Sequence, residues 1–353
     1  MRQCSVPSIQ AVACSLPANV YGQEEIASVC QSLFPDIAKN PRLRAMFGNS
    51  GVRTRSLAEP LPFYKERRSF SERNATYLKH ALGLARSAIL RALESGGAAA
   101  EDISHIFFVT TTGLLTPSLD AYLINEIPFS PSVKRSPLFG VGCAGGVVGV
   151  ERASEYLESR PSELALVLSV ELCSLSFLSQ EPGLIQWLAA SLFSDGAAAV
   201  LIAGDERARR PGPEILSCQS LLIPDSLDMM GWEFGEWGMR LLLSPDVPRV
   251  AREHLEPAAR EFLAKNGLAL GDIEWFLIHP GSSKVIQACA DALGLGPELT
   301  ALSREILAER GNMSSATVLH IIERSLSRAR SGSYGLMVAL GPGFSCEMAL
   351  LKF

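Results

Sequence analysis

Short apolar runs rich in Val, Ile and Phe alternate along the chain with longer stretches whose apolar residues return at helical spacing. Apolar runs of this length, bounded by polar or turn-forming residues, predict buried strands over 103–112, 165–171, 197–204, 274–280, 334–340 and 346–353. The amphipathic stretches predict helices over 75–95, 144–159, 250–267, 284–294 and 314–329. Alternation of this kind predicts an α/β architecture with sheets buried between helices.

The order of elements repeats. Helix 75–95 leads through AAAED into ISHIFFVTTTG, and helix 250–267 leads through LALGD into IEWFLIHPGS. GCAGGVVGVERASEYL runs into ALVLSVE as GNMSSATVLHIIERSL runs into YGLMVAL, and GAAAVLIAG pairs with CEMALLKF. Two copies of one supersecondary plan are therefore expected, divided near the Pro-rich DERARRPGPE into an N-terminal half, 1–205, and a C-terminal half, 206–353. In this scheme Cys143 and Asn312 hold equivalent points, each opening a helix after a glycine. His279 ends the strand that matches Thr110-Thr111-Thr112. Halves packed about a pseudo-twofold axis would bring the three residues to one pocket.

Their chemistry is complementary. A thiol at a helix N-terminus feels the positive end of the dipole, which favours the thiolate, and the small Ala-Gly-Gly after it lets an acyl group reach the sulfur. Taken singly, Cys143 reads as well as a small core residue, His279 as a strand-edge histidine and Asn312 as a helix N-cap. Together they supply a nucleophile and two hydrogen-bond donors for a developing oxyanion. The Leu340-Gly341-Pro342-Gly343 turn is either an ordinary hairpin or backbone brought close to that pocket.

Bulk properties narrow the class. With 353 residues and 47% apolar composition the chain can bury a large core. A net charge of −5 gives no electrostatic case for nucleic acid or a membrane surface. The apolar runs are far shorter than the ~20 residues of a membrane span, and no secretory leader is visible. Eight cysteines lie scattered, without C-x-x-C pairs or zinc-finger spacing, which suits a reducing cytoplasm.

Over nearly its whole length the chain resembles the type III polyketide synthases, the chalcone-synthase-like branch of the thiolase superfamily. The resemblance rests on GCAGG around Cys143, LFSDGAAAVLI (192–202), IHPGSSKVI around His279, GNMSSATVL around Asn312 and the C-terminal GPGFSCE. It implies a thiolase-like, five-layered αβαβα fold built from two pseudo-twofold-related halves, assembled as a homodimer. It further implies that Cys143 takes an acyl group from a CoA thioester. His279 and Asn312 then hold malonyl-CoA for decarboxylation and Claisen condensation. No metal or redox cofactor is implied; acyl-CoA and malonyl-CoA are substrates.

The same alignment suggests substrate contacts. Phe193 matches one gatekeeper phenylalanine, and Leu241 stands where the other would be. Thr111, Thr112, Cys173, Ser176 and Ser314 fall at cavity positions, with Gly341, Pro342 and Gly343 in the family's Gly-Pro-Gly loop. Trp232 replaces a frequent glycine, so room for a large aromatic starter shrinks, while small Thr112 and Cys173 are expected to open a side tunnel. Together with SFSERNATY and MMGWEFGEWG, this pattern is similar to bacterial synthases that use fatty acyl starters and make alkylpyrones or alkylresorcinols. Thr116 aligns with the loop that crosses toward the partner's cavity. Arg44, Arg53 and Arg55, within NPRLRAMFGNSGVRTR, are candidates for the CoA phosphates, with solvated surface charge as the alternative. Competing readings are a short-starter or malonyl-primed synthase making a small aromatic, a single-round condensing enzyme like ketoacyl-ACP synthase III, and a non-catalytic thiolase-fold partner.

Overall fold

The computed structural model describes residues 5–353; Cys4 lies outside the described residues. The N-terminal half contributes strands β1 (Ser8–Ser15), β2 (Ile103–Val109), β3 (Lys134–Leu138), β4 (Leu164–Leu172) and β5 (Asp195–Ala203). The C-terminal half contributes β6 (Glu214–Leu222), a hairpin of β7 (Met230–Gly235) and β8 (Gly238–Leu243), then β9 (Ile273–Ile278), β10 (Tyr334–Gly341) and β11 (Ser345–Lys352). Nine of these form one continuous sheet in the order β9-β10-β11-β6-β1-β5-β4-β2-β3.

The seam is thin. β1 and β6 meet through the single pair Ser8↔Glu214. On either side of it the pattern is the same: two antiparallel pairings, then a parallel one, β1-β5-β4-β2 matching β6-β11-β10-β9. The helices repeat likewise. Helix α2 (Phe70–Gly96) precedes β2 as α5 (Val247–Lys265) precedes β9, and α3 (Gly145–Glu158) precedes β4 as α7 (Ala316–Leu326) precedes β10. Three further helices border the site described below: α1 (Gln23–Leu33), α4 (Leu184–Leu192) and α6 (Ser283–Leu293).

Three apolar clusters define the layers. Ala81, Ala85 and Ala92 of α2 pack on Ala199, Leu201 and Leu168 on one outer face. Val147, Val150, Val318 and Ile322 of α3 and α7 fill the centre between Val167 and Val200 on one side and Met337 and Ala349 on the other. Phe262 and Leu263 of α5 and Cys289 of α6 close the far face on Phe276, Val338 and Leu350. The result is the five-layered α/β arrangement of a thiolase-like fold. Strands β4 and β5 are buried on both faces, which explains their long apolar runs.

The centre is where α3 and α7 cross, and the segments leading into them carry Cys143 and Asn312. Their approach depends on Gly146: a Cβ there would lie 2.4 Å from the Ser315 carbonyl oxygen and 2.6 Å from Val318. One contact is backbone, so no rotamer change relieves it. Gly146→Ala is expected to lower the unfolding free energy by ~1–3 kcal/mol in denaturant titration; a change below ~0.5 kcal/mol, the range of surface substitutions, would show that the helices part freely.

Candidate active site

Each of the three chemically reactive residues leaves an element end in the central layers. Cys143 sits in a 3₁₀ turn, Gly142–Ala144, one residue short of α3. His279 follows the last residue of β9, its N–H donating to the Val338 carbonyl at 2.8 Å. Asn312 is pinned through its backbone, N–H to Leu192 O at 3.0 Å and its carbonyl accepting from Ser194 N–H at 2.9 Å. It is not a helix cap: its Oδ1 accepts from Ser314 N–H at 2.8 Å, and its Nδ2 donates to Gly281 O at 3.0 Å. One amide hydrogen remains free.

All three line one cavity of about 590 Å³. Thr111, Cys173, Phe193, Trp232, Leu241, Ser314 and Pro342 line it too. Leu184, Leu188 and Leu192 of α4 form one apolar wall, and β7–β8 forms another, Leu241 pairing with Trp232 in register. Exposed Arg42 and Lys284 are its charged lining residues. A smaller cavity of about 50 Å³ adjoins it, sharing Cys173 and Phe193 and lined by Ile26, Val29, Leu57, Ala189 and Ser176.

The electrostatics differ from the sequence expectation for Cys143. Burial, aided by the charge of Glu171, pushes its thiol up to about 11, against the pull of a Ser314 hydroxyl 3.6 Å from the sulfur. Ser314 holds φ +49, a left-handed backbone uncommon outside glycine. Burial drives His279 down to about 3, and neither ring nitrogen has a protein partner. Both shifts favour the neutral thiol and the neutral imidazole, through desolvation of their charged forms.

Several expected contacts fall elsewhere. Thr112 is buried, but its hydroxyl donates to Glu171 at 2.7 Å and accepts from Leu172 N–H, so it braces a strand end rather than opening a tunnel. Arg55 is no phosphate ligand. It is 2% exposed, and its guanidinium donates to Phe193 O at 2.9 Å and Gln23 Oε1 at 2.5 Å. Arg44 and Arg53 are exposed and line neither cavity; the cationic lining comes from Arg42 and Lys284. Gly341 lies against Ala144 and Val141, backing the Cys143 turn, and Gly343 faces Leu222 at the end of neighbouring β6. Thr116 is exposed.

The sequence reading missed Glu171. Its carboxylate accepts from Thr111 N–H and hydroxyl at 3.0 Å each, from Thr112 and from Ser315 at 2.5 Å, and burial still raises its pKa. A single acid inside LALVLSVEL was the available signal.

Residues 8–206 match the family model for the N-terminal domain of chalcone and stilbene synthases, and 214–353 match that for their C-terminal domain. The chain belongs to this family. It is 39% identical over 98% of both chains to a putative chalcone synthase of Bacillus subtilis. It is 38% identical to the 1,3,6,8-tetrahydroxynaphthalene synthase of Streptomyces peucetius, covering 98% of this chain and 93% of that one. The crystal structure of the Streptomyces coelicolor 1,3,6,8-tetrahydroxynaphthalene synthase, a bacterial type III polyketide synthase, superposes with a TM-score of 0.93 at 30% identity, covering 98% and 99% of the two chains. This chalcone and stilbene synthase relative is a type III polyketide synthase: an acyl-transferring, Claisen-condensing enzyme that uses malonyl-CoA. Among its described residues no helix is long and apolar enough to cross a membrane.

Proposed function

We propose that the enzyme condenses malonyl-CoA iteratively onto a long-chain fatty acyl-CoA starter and cyclises the product to an alkylpyrone or alkylresorcinol. In this reading residues 1–205 carry the nucleophile and 206–353 the carbonyl-binding pair. The Cys143 thiol gives its proton to His279 as sulfur attacks the starter thioester; the C–S bond to CoA breaks, and the CoA thiolate takes that proton from His279 as it leaves, returning the ring to its neutral form. Malonyl-CoA then binds with its thioester oxygen toward the His279 ring and the free Asn312 amide hydrogen. Loss of CO₂ leaves its electron pair in an enolate held by those donors, and the enolate carbon attacks the Cys143 thioester, expelling the sulfur. Burial strengthens such hydrogen bonds to developing negative charge. Exposed Arg42 and Lys284 suit the CoA phosphates. Thr116, exposed on its loop, suits a homodimer working in the cytoplasm, with Thr116 near the partner's cavity.

The observation that carries the starter is the small apolar cavity behind Cys173 and Phe193. Each CH₂ it buries is worth ~0.8 kcal/mol, so a chain threaded past Cys173 gains with length. Cys173→Phe, which plugs the junction, is expected to lower kcat/KM for long starters at least ~10-fold relative to acetyl-CoA. An unchanged chain-length profile would sink the tunnel.

A malonyl-primed route to a small aromatic is the second reading, favoured by 38% identity to a tetrahydroxynaphthalene synthase. Labelled malonyl-CoA with an acyl-CoA ladder from acetyl to very long chains, read by mass spectrometry, separates the two. Alkylated tri- or tetraketides that increase with starter length support the first; product from malonyl alone supports the second. Product only from acyl carrier protein would favour a single-round condensing enzyme.

A further inference from the structure

The start of α2 ties together three walls of the cavity. Ser69 and Glu72 close a reciprocal capping box, Ser69 Oγ accepting from Glu72 N–H at 3.2 Å and Glu72 Oε2 from Ser69 N–H at 2.8 Å. The next two side chains reach outward from this fixed end. Asn74 grips both sides of one residue, Nδ2 donating to Leu114 O at 2.6 Å and Oδ1 accepting from Leu114 N–H at 2.8 Å, on the loop that follows cavity-lining Thr111. Arg73 is 5% exposed and bridges two segments distant in sequence. One terminal nitrogen donates to Leu175 O at 2.9 Å, within the 3₁₀ turn Cys173–Ser176 that separates the two cavities. The other donates to Trp237 O at 2.5 Å, in the turn between β7 and β8.

We propose that Arg73 is a positioning residue that sets the gap between the Cys173 turn and the β7–β8 wall, and so decides which acyl chain lengths the cavity accepts; this rests on reading the cavity as the acyl site. Among the described residues the hairpin pairs with no other strand. A lone two-stranded hairpin is marginal in water, so a few tertiary anchors decide where it sits. Its turn is seated on α2: a Cβ on Gly238 would lie 2.5 Å from the Phe70 ring, and Gly238 holds φ +96. The planar guanidinium fork then locks that turn at a fixed distance from Leu175. The far side of the hairpin presents Trp232 and Leu241 to the cavity. A shift at the turn therefore moves the wall opposite Cys173. Arg73 touches no part of the main cavity itself.

The test uses the full chain with Arg73→Met, Arg73→Lys and Gly238→Ala. Arg73→Met is expected to speed amide exchange across 230–243 at least ~10-fold while α3 amides hold their protection. It should also flatten the starter profile, cutting the kcat/KM ratio between the preferred acyl-CoA and one four carbons shorter at least ~10-fold. Decarboxylation of malonyl-CoA should stay within about twofold, because Cys143, His279 and Asn312 are untouched. Arg73→Lys, which keeps the charge but not the planar fork, should restore the selectivity only in part. Equal loss on every starter with unchanged hairpin exchange would make Arg73 merely structural and overturn the proposal. If the wild type accepts only malonyl-CoA, the acyl-starter reading falls by itself; hairpin exchange and the ratio of polyketide lengths then judge the clamp. Should Arg73→Met not fold, Gly238→Ala disturbs the same seat from the hairpin side, and wild-type exchange and profile in that variant would overturn the idea as well.

Discussion

Replacing Cys143 by Ala is expected to abolish polyketide formation, by at least ~10³-fold, while malonyl-CoA is still decarboxylated to acetyl-CoA. In the proposed mechanism the two steps draw on different atoms. Chain transfer needs the sulfur, which becomes the thioester. Enolate formation needs two donors at the thioester oxygen, and those remain: the His279 ring, with neither nitrogen partnered by protein, and the Asn312 hydrogen not used by Gly281. The reciprocal result is expected for Asn312→Ala and His279→Ala, which should lower decarboxylation and product together by ~10²–10³-fold. Mass spectrometry of the acyl-enzyme and of released acetyl-CoA measures both. Product formation by the Cys143 variant, or decarboxylation that survives loss of Asn312 but not of Cys143, would assign the roles wrongly.

The pH behaviour of the nucleophile follows from the same burial. With the thiol pushed up to about 11 and the imidazole down to about 3, the resting site carries neither charge. In the proposed mechanism the proton then moves during attack, not before it. The helix-end argument from sequence leaves this burial out: a dipole is visible in a motif, whereas the amount of protein stacked over a sulfur is not.

What else was legible follows the same division. The β4 and β5 segments announce themselves because both faces are buried and, apart from Glu171 and Asp195, every residue is apolar or small. Strand β1, SIQAVACS, is as fully buried, yet it mixes Ser and Gln into its run, and nothing local marks it as a sheet centre. The expected strand through Thr112 stops at Val109, because the three threonines turn their polar groups to Glu171 and Tyr77. Helix α2 begins five residues before the apolar period does, at the Ser69–Glu72 box inside SFSERN. Cys143, His279 and Asn312 could be brought together on paper because a repeat relates their positions. Arg55 and Arg73 have no such guide. One sits in a basic cluster and reads as a phosphate ligand, but its partners, Gln23 and Phe193, lie 32 and 138 residues away. The other lies in SFSERN, ahead of the predicted helix, and nothing in the sequence singles it out. Side chains whose meaning is a distant backbone carbonyl carry no periodic or compositional signature.

Two buried neutral histidines should make the fold acid-sensitive, and His320 offers the cleaner measurement because it lies outside the site. Its Nδ1 sits 2.6 Å from an Arg310 N–H and its Nε2 3.2 Å from Ala197 O, so Nδ1 accepts and Nε2 donates. Protonation would set an N–H against the guanidinium, and burial, with Arg310 adding to it, holds the ring down at about 3. The unfolded chain titrates near 6.5, so between 6.5 and about 3 the unfolded state binds the extra proton. Stability from this group is present above pH 6.5 and falls by ~1.4 kcal/mol for each unit of acidification in that window. His279, also held near 3, adds an equal slope. Asp195 opposes them: burial raises it to about 6, so between 3.8 and 6 the native state holds the extra proton and gains on acidification. Glu171, raised by burial, acts in the same direction as Asp195. A His320→Gln variant isolates one slope, since a glutamine amide can accept from Arg310 and donate to Ala197 without titrating. The stability difference between wild type and variant, from urea unfolding, should shrink by ~2.7 kcal/mol between pH 6.5 and pH 4.5. A difference that stays constant with pH would mean that His320 takes up its proton in the folded protein, and that Arg310 moves aside to let it.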